Sequence, residues 1–144
     1  MNFEEIARNL DTAALMEYRT VTEVAIIQNA ATKVTAADIR DLRAITAQME
    51  TVRDDPATLS QYDFDFHSRI AAATRNQLLI ITFNTIRSVY EDFTEKMFEA
   101  DAYAFSLEDH TKITDALEAR NVVLSGEMMY RQLSNVQHHF NTLQ

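Results

Sequence analysis

One glycine and one proline in 144 residues leave very little with which to build tight turns. Hairpins and sheet corners draw on residues with φ > 0 and on pre-bent proline, so a multi-stranded sheet is a poor fit to this chain. Long helices joined by short polar breaks remain. Alanine, leucine, methionine, glutamate and glutamine, all good helix formers, are abundant. Apolar residues make up 47% of the sequence, and a chain of this length can bury roughly two-thirds of its unfolded surface.

The apolar spacing supports helices throughout. After Asp11 and Thr12, an N-cap pair, Ala14, Tyr18, Val21 and Ala25 repeat at helical intervals. A break at Thr32 to Thr35 follows, and Thr35-Ala36-Ala37-Asp38 has the pattern of a capping box ahead of Ile39, Leu42, Ile45, Met49 and Val52. Pro56, after Asp54-Asp55, marks the next start, and Leu59, Tyr62, Phe66 and Ile70 give a third helix that stops at Thr74-Arg75-Asn76. Leu79, Phe83, Ile86, Tyr90, Phe93 and Met97 predict one long fourth helix. Polar residues from Asp101 to Ser106 separate it from a fifth through Leu107, Ile113 and Leu117. The last runs from about Asn121 through Met129, Leu133, Val136, Phe140 and Leu143. Residues 1–10 are expected to be a linker or a short leading helix. The fold class is all-α, an antiparallel bundle of six to seven helices in a single domain spanning 1–144.

Charge and composition exclude several roles. The formal net charge is -9, and the 13 basic residues are scattered. Binding a duplex requires clustered Lys and Arg that displace counterions, so this polypeptide should be repelled by nucleic acid and by anionic membranes. No apolar run approaches the ~18 residues of a membrane span, and the acidic start Met-Asn-Phe-Glu-Glu is unlike a signal peptide. The absence of cysteine removes disulfides and thiolate metal sites and is compatible with a cytoplasmic location.

Polar residues interrupt the apolar stripes at four places. Asp63 and His67 are four apart on the third helix, so they leave one face a turn apart. His110 lies on the stripe of the fifth helix and Gln132 on that of the last, while Asp65 faces away. Asp, His and a second His from another helix are workable ligands for a divalent ion. The same groups would also suit a hydrogen-bonded polar core. Convergence favours a ligand, because an unpaired buried polar atom costs ~1–3 kcal/mol.

These residues fall within a recognisable pattern. Leu15-Met16-Glu17-Tyr18-Arg19, Ala30-Ala31-Thr32 and Asp38-Ile39-Arg40-Asp41-Leu42 lead to the most specific stretch, Asp63-Phe64-Asp65-Phe66-His67-Ser68-Arg69-Ile70, then Ala73-Thr74-Arg75-Asn76-Gln77-Leu78-Leu79. His110-Thr111-Lys112-Ile113, Ala116-Leu117 and Arg120-Asn121 follow. From about residue 12 to 140 the sequence resembles the FadR C-terminal (FCD) effector-binding domain of GntR-type bacterial transcription regulators.

The resemblance implies a helical bundle that dimerises and senses a small organic or sugar acid beside an interior divalent metal, zinc or nickel. It implies Asp63, His67 and His110 as ligands, but the position of the family's remaining histidine is Gln132, a neutral amide. Gln132 and Arg19, which matches the family's opening motif, become effector-binding candidates, with Arg69 a weaker one. Arg19 also reads as a surface arginine lying across Tyr18. DNA contact is implied only through a winged helix that these 144 residues do not include.

The rival readings are a small helical metalloenzyme using the same Asp/His/His site and a purely structural dimerisation module. No further inward carboxylate is placed as a general base and no nucleophile has an orienting partner, so the chain is expected not to be an enzyme.

Overall fold

The computed structural model describes residues 2, 5, 9 and 11–143. Apart from residues 2, 5 and 9, the short leading helix expected within residues 1–10 lies outside them. Among the described residues there are seven α-helices and no strand: α1 Thr12–Ala31, α2 Ala36–Thr51, α3 Pro56–Ala73, α4 Gln77–Asn84, α5 Arg87–Glu99, α6 Tyr103–Glu118 and α7 Val122–Thr142. None is long and apolar enough to cross a membrane.

The starts are fixed by short side chains that satisfy the first free N–H groups. Asp11 accepts from Ala14 N, Asp55 from Thr58 N with Pro56 beginning the helix, Asn76 from Leu78 and Leu79 N, and Asn121 from Leu124 N. Thr35 and Asp38 form the expected capping box, each side chain accepting from the other's backbone N–H.

The stops show how a chain with one glycine ends its helices. Arg75, Asp101 and Arg120 have φ of 53°, 65° and 54°, the left-handed conformation that glycine usually supplies after a helix. At α5 and α6 the two closing bonds are complete: Asp101 N to Phe98 O with Ala102 N to Met97 O, and Arg120 N to Leu117 O with Asn121 N to Ala116 O. The Arg120 guanidinium also donates to Thr32 O and Val34 O, tying the end of α6 to the end of α1.

The expected fourth helix is two. Its apolar spacing runs unbroken from Leu79 to Met97, yet the chain turns at Thr85-Ile86. Thr82, Asn84 and Thr85 there each donate from the side chain to the carbonyl four residues back. Such bonds compete with the helical ladder and bend it. Asn84 also accepts from Ser68 Oγ, which anchors the turn to α3.

The buried face of α1 is also shifted from the expected stripe. Leu15, Met16, Arg19, Glu23, Ile26, Ile27, Ala30 and Ala31 are buried, whereas Val21 is 67% exposed. Two charged residues occupy the middle of that face, so counting apolar positions favours a neighbouring register. The helix α1 packs along α7, where the one glycine, Gly126, meets Gln28; a Cβ there would fall 2.7 Å from Gln28 Nε2. The helix α3 lies between α2 and α5, and α6 between α2 and α7. The helices α1, α3, α5, α6 and α7 thus each present one side to a common interior.

Candidate functional site

That interior is polar at its centre. The helix α1 contributes Arg19 and Glu23, α3 Asp63 and His67, α5 Tyr90, α6 His110 and α7 Gln132, and all seven are buried. Arg19 Nε donates to Glu23 Oε2 at 2.7 Å, and Arg19 Nη2 to Tyr90 Oη at 2.9 Å. Tyr90 Oη in turn donates to Asp63 Oδ2 at 2.7 Å. The guanidinium also lies 4.2 Å from the Tyr90 ring centre, so this aromatic holds it by face and by hydroxyl.

The histidines approach the carboxylates from the other side. His110 Nε2 is 2.9 Å from Asp63 Oδ1, and His67 Nδ1 is 2.5 Å from Glu23 Oε1. Yet none of the four ring nitrogens of His67 and His110 is aligned in a hydrogen bond. Donor atoms of Asp63, His67 and His110 lie within 4.8 Å of one another. The His110 ring stacks on Phe66 at 3.9 Å and 9°, which fixes its plane. Arg19 Nη1 and Gln132 Oε1 are further buried atoms without a partner.

Electrostatics sharpen the picture. Burial pushes the Asp63 carboxyl up, but the contact with His110 and the nearby His67 and Arg19 hold it well below the usual carboxylate range. Burial likewise opposes ionisation of Glu23, and Arg19 and His67 reverse it. Burial holds His110 below its ordinary value despite Asp63, so its imidazole is a neutral donor at pH 7. Counting histidine as uncharged, the two carboxylates and one guanidinium of these seven residues sum to a formal charge of -1.

A divalent ion fits this site on the chemistry of its donors. Several ring nitrogens are buried without a hydrogen bond, one carboxylate stands beside them, and the local charge is negative. Glu23 sits behind His67, where an outer carboxylate orients a ligating imidazole.

Beside the cluster is a cavity of about 20 Å³ whose lining includes Arg19, Asp63, Ser106 and Gln132, with Met97 and Phe98 from α5 as its apolar wall. That volume holds about one water.

Sequence reasoning placed Asp63, His67, His110, Gln132 and Arg19 in one neighbourhood, and the structure brings all five together. Arg19 is 2% exposed and is not a surface arginine lying across Tyr18. Arg69 is not among them: it donates to Asp38 and Asp41 of α2 on the outside of the bundle. His138 is exposed and His139 contacts Ala100 O, so neither joins the cluster. Glu23 was missed, and it corrects the expectation that no further carboxylate points inward. Its one signal was the spacing of four from Arg19. Tyr90, assigned to the core, proves to be the link between Arg19 and Asp63.

Known proteins share this sequence pattern and fold. The family model described as FCD domain matches residues 14–135, which include every residue of the cluster. The chain belongs to the FCD domain family. This FCD domain is 27% identical over 137 residues to the HTH-type transcriptional regulator LutR of Bacillus subtilis, covering 88% of this chain and 61% of that protein. It is 25% identical over 130 residues to the Uxu operon regulator of Haemophilus influenzae, covering 85% and 48%. The fold is similar to that of Streptococcus agalactiae GntR, with a TM-score of 0.74 at 21% identity over 96% of this chain and 61% of that one. The chain therefore spans about half to three-fifths of the length of these relatives, of which the first is a transcriptional regulator and the second an operon regulator by name.

Proposed function

We propose that this FCD domain is the effector-sensing part of a GntR-type transcription regulator and that its effector is a small organic or sugar acid received at the Asp63–His67–His110 cluster. The observation that carries the reading is the set of buried imidazole nitrogens without hydrogen bonds beside a carboxylate.

Asp63, His67 and His110 would hold a divalent ion, zinc or nickel by ligand type. When bound, that ion supplies positive charge to which a carboxylate can be attracted. The formal charge of the seven clustered residues supports such a pair: a divalent ion turns -1 into +1, and one carboxylate returns the cluster to neutrality. Arg19 Nη1 offers an N–H to the acid and Gln132 Oε1 accepts from a hydroxyl or other donor on it. Because the cavity holds about one water, the acid enters only as Met97 and Phe98 give way, and flexible methionine suits that role.

Sensing fits better than catalysis. Glu23, the second carboxylate of the cluster, is engaged by Arg19, and the buried Asp109 of α6 accepts from Asn135, so neither is free to act as a base. DNA contact belongs to a winged helix elsewhere in such a regulator, and the regulator works as a homodimer, since a two-fold operator calls for a two-fold protein.

The test is calorimetry of zinc-loaded protein against a panel of small carboxylates and sugar acids. At least one acid should bind, and Gln132→Leu, which removes the acceptor without stranding a charge, should weaken it about tenfold or more, roughly 1.4 kcal/mol. Arg40→Ala, an exposed change on α2, should leave it unaltered. Absence of binding by every acid, with and without zinc, overturns the reading.

A further inference from the structure

The interior cluster lies behind a wall, and whatever completes it has to cross that wall. Nine of the ten residues lining the cavity beside it are buried, and only Phe105 is half-buried. Phe105, in the first turn of α6, also lines a second and larger cavity. This is a cleft of about 450 Å³ between α6 and α7, open to solvent past the exposed Glu108, Arg131 and His138. A cleft of that size accommodates a small organic molecule. One aromatic side chain is thus common to the outer cleft and the inner cavity.

The backbone that carries Phe105 is the part of α6 with least to hold it. The other helices except α5 start on a side-chain cap, whereas α6 starts on Ala102, which offers none. Asp101 just ahead has φ of 65°, a conformation that disfavours any residue but glycine. An uncapped first turn behind a strained residue belongs to the least stable parts of a fold. What restrains it comes from α7. The His139 ring meets the Phe105 ring edge-on, 5.3 Å between centres, and its Nε2 lies 2.8 Å from Ala100 O. His139 therefore clasps both sides of the turn between α5 and α6. Further along, Ile113 and Leu117 are buried, so fraying at Phe105 leaves His110 in place.

We propose that Phe105 is the door through which a small acid passes from the α6–α7 cleft to the interior cluster, with His139 as its latch. This rests on the effector reading above and adds the route. Met97 and Phe98 make room for the acid inside, and Phe105 stands on its way in. Ala102 lines the inner cavity too, so loosening the first turn of α6 moves two parts of the wall together.

Carbethoxylation of the whole metal-free chain by diethyl pyrocarbonate tests the door without any acid. Peptide mass spectrometry reads the rate at the buried His67 and His110 against the exposed His138, at reagent levels that modify at most one histidine per chain. In the parent the two interior histidines should react far more slowly than His138. Phe105→Ala should speed their modification about tenfold or more, as a lost barrier of that size does. His139→Ala, which removes one hydrogen bond and a ring contact from the latch, should speed it about fivefold. Val136→Ala trims a residue of the inner wall that does not line the cleft, and should stay within about twofold of the parent. Circular dichroism checks that each variant is folded. Interior histidines as reactive as His138 in the parent, no gain in Phe105→Ala, or an equal gain in Val136→Ala would each overturn the door. Failure of every acid to bind in the calorimetry above would remove the effector reading, while the modification rates decide the door by themselves.

Discussion

Two charged clusters in this FCD domain use the same ingredients and come to opposite ends. On the outside of the bundle, Asp38 of α2 accepts from Arg69 at 2.9 Å, from Arg75 at 3.0 Å and from the Thr35 backbone at 2.9 Å. Arg69 spends its remaining reach on Asp41. In the interior, Asp63, Glu23 and Arg19 are likewise paired, but His67, His110, Gln132 and one arm of Arg19 keep buried polar atoms without hydrogen bonds. The outer cluster is closed and explains itself as structure. The inner one is open, and an open polar site in a core is costly unless something else completes it.

The sharpest way to probe the contrast is to remove one charge from the inside. Glu23→Ala leaves the Arg19 guanidinium buried with only Tyr90 and Asp63 nearby, and urea denaturation should show a loss of about 3–5 kcal/mol. A loss below about 1 kcal/mol would mean water reaches Arg19, and the interior would not be the dry site described.

Tyr90→Phe is a subtler cut. It keeps the ring under Arg19 while depriving Asp63 Oδ2 of its donor and Arg19 Nη2 of its acceptor, so about 1–3 kcal/mol should be lost. A neutral outcome would show that the hydroxyl is not a link between the two charges.

Acidification of metal-free protein should separate the groups by pH. His110 is held below its ordinary value, so from about pH 6.5 downward the unfolded chain binds the proton first and stability declines. Asp63, Glu23 and Asp38 are held below the carboxylate range, so their contribution is complete above about pH 4 and is lost as pH falls below it. Denaturation midpoints should therefore drop gently below neutrality and steeply in acid. A profile flat down to pH 3 would contradict the ion pairs.

At the weak end, Arg69→Ala removes a side chain that is 30% exposed from the outer cluster. The change should cost less than about 1 kcal/mol, since partly exposed pairs are screened by solvent. Acid binding should be unaffected, because Arg69 does not reach the cavity. A weakened acid would return Arg69 to the site.

These contrasts also show which parts of the molecule are legible from sequence. The third helix is clear because Asp63 and His67 sit next to an apolar stripe strong enough to orient them, and His110 lies on a stripe itself. The first helix misleads for the same reason in reverse. Arg19 and Glu23 occupy the centre of its buried face, so hydrophobic periodicity points to Val21, on the side that faces out. Glu23 has only its spacing of four from Arg19 as a local signal, and its other partner, His67 on α3, lies outside any local pattern. The split between α4 and α5 is hidden because the turn at Thr85-Ile86 keeps the apolar spacing, and only the Thr and Asn side chains on backbone carbonyls reveal it.

The central claim is that the open interior cluster takes a divalent ion, and zinc titration of metal-free protein by calorimetry tests it most directly. The parent should bind one zinc. Gln132→His, placing an imidazole where a neutral amide now lies buried, should tighten binding by about tenfold or more, roughly 1.4 kcal/mol. His110→Ala should abolish binding, and Asp65→Ala, whose carboxylate pairs with Arg87 on another face, should change nothing. No zinc uptake by the parent, and none gained by Gln132→His, would contradict the claim and leave the cluster as a polar core that meets its ligand through protein groups alone.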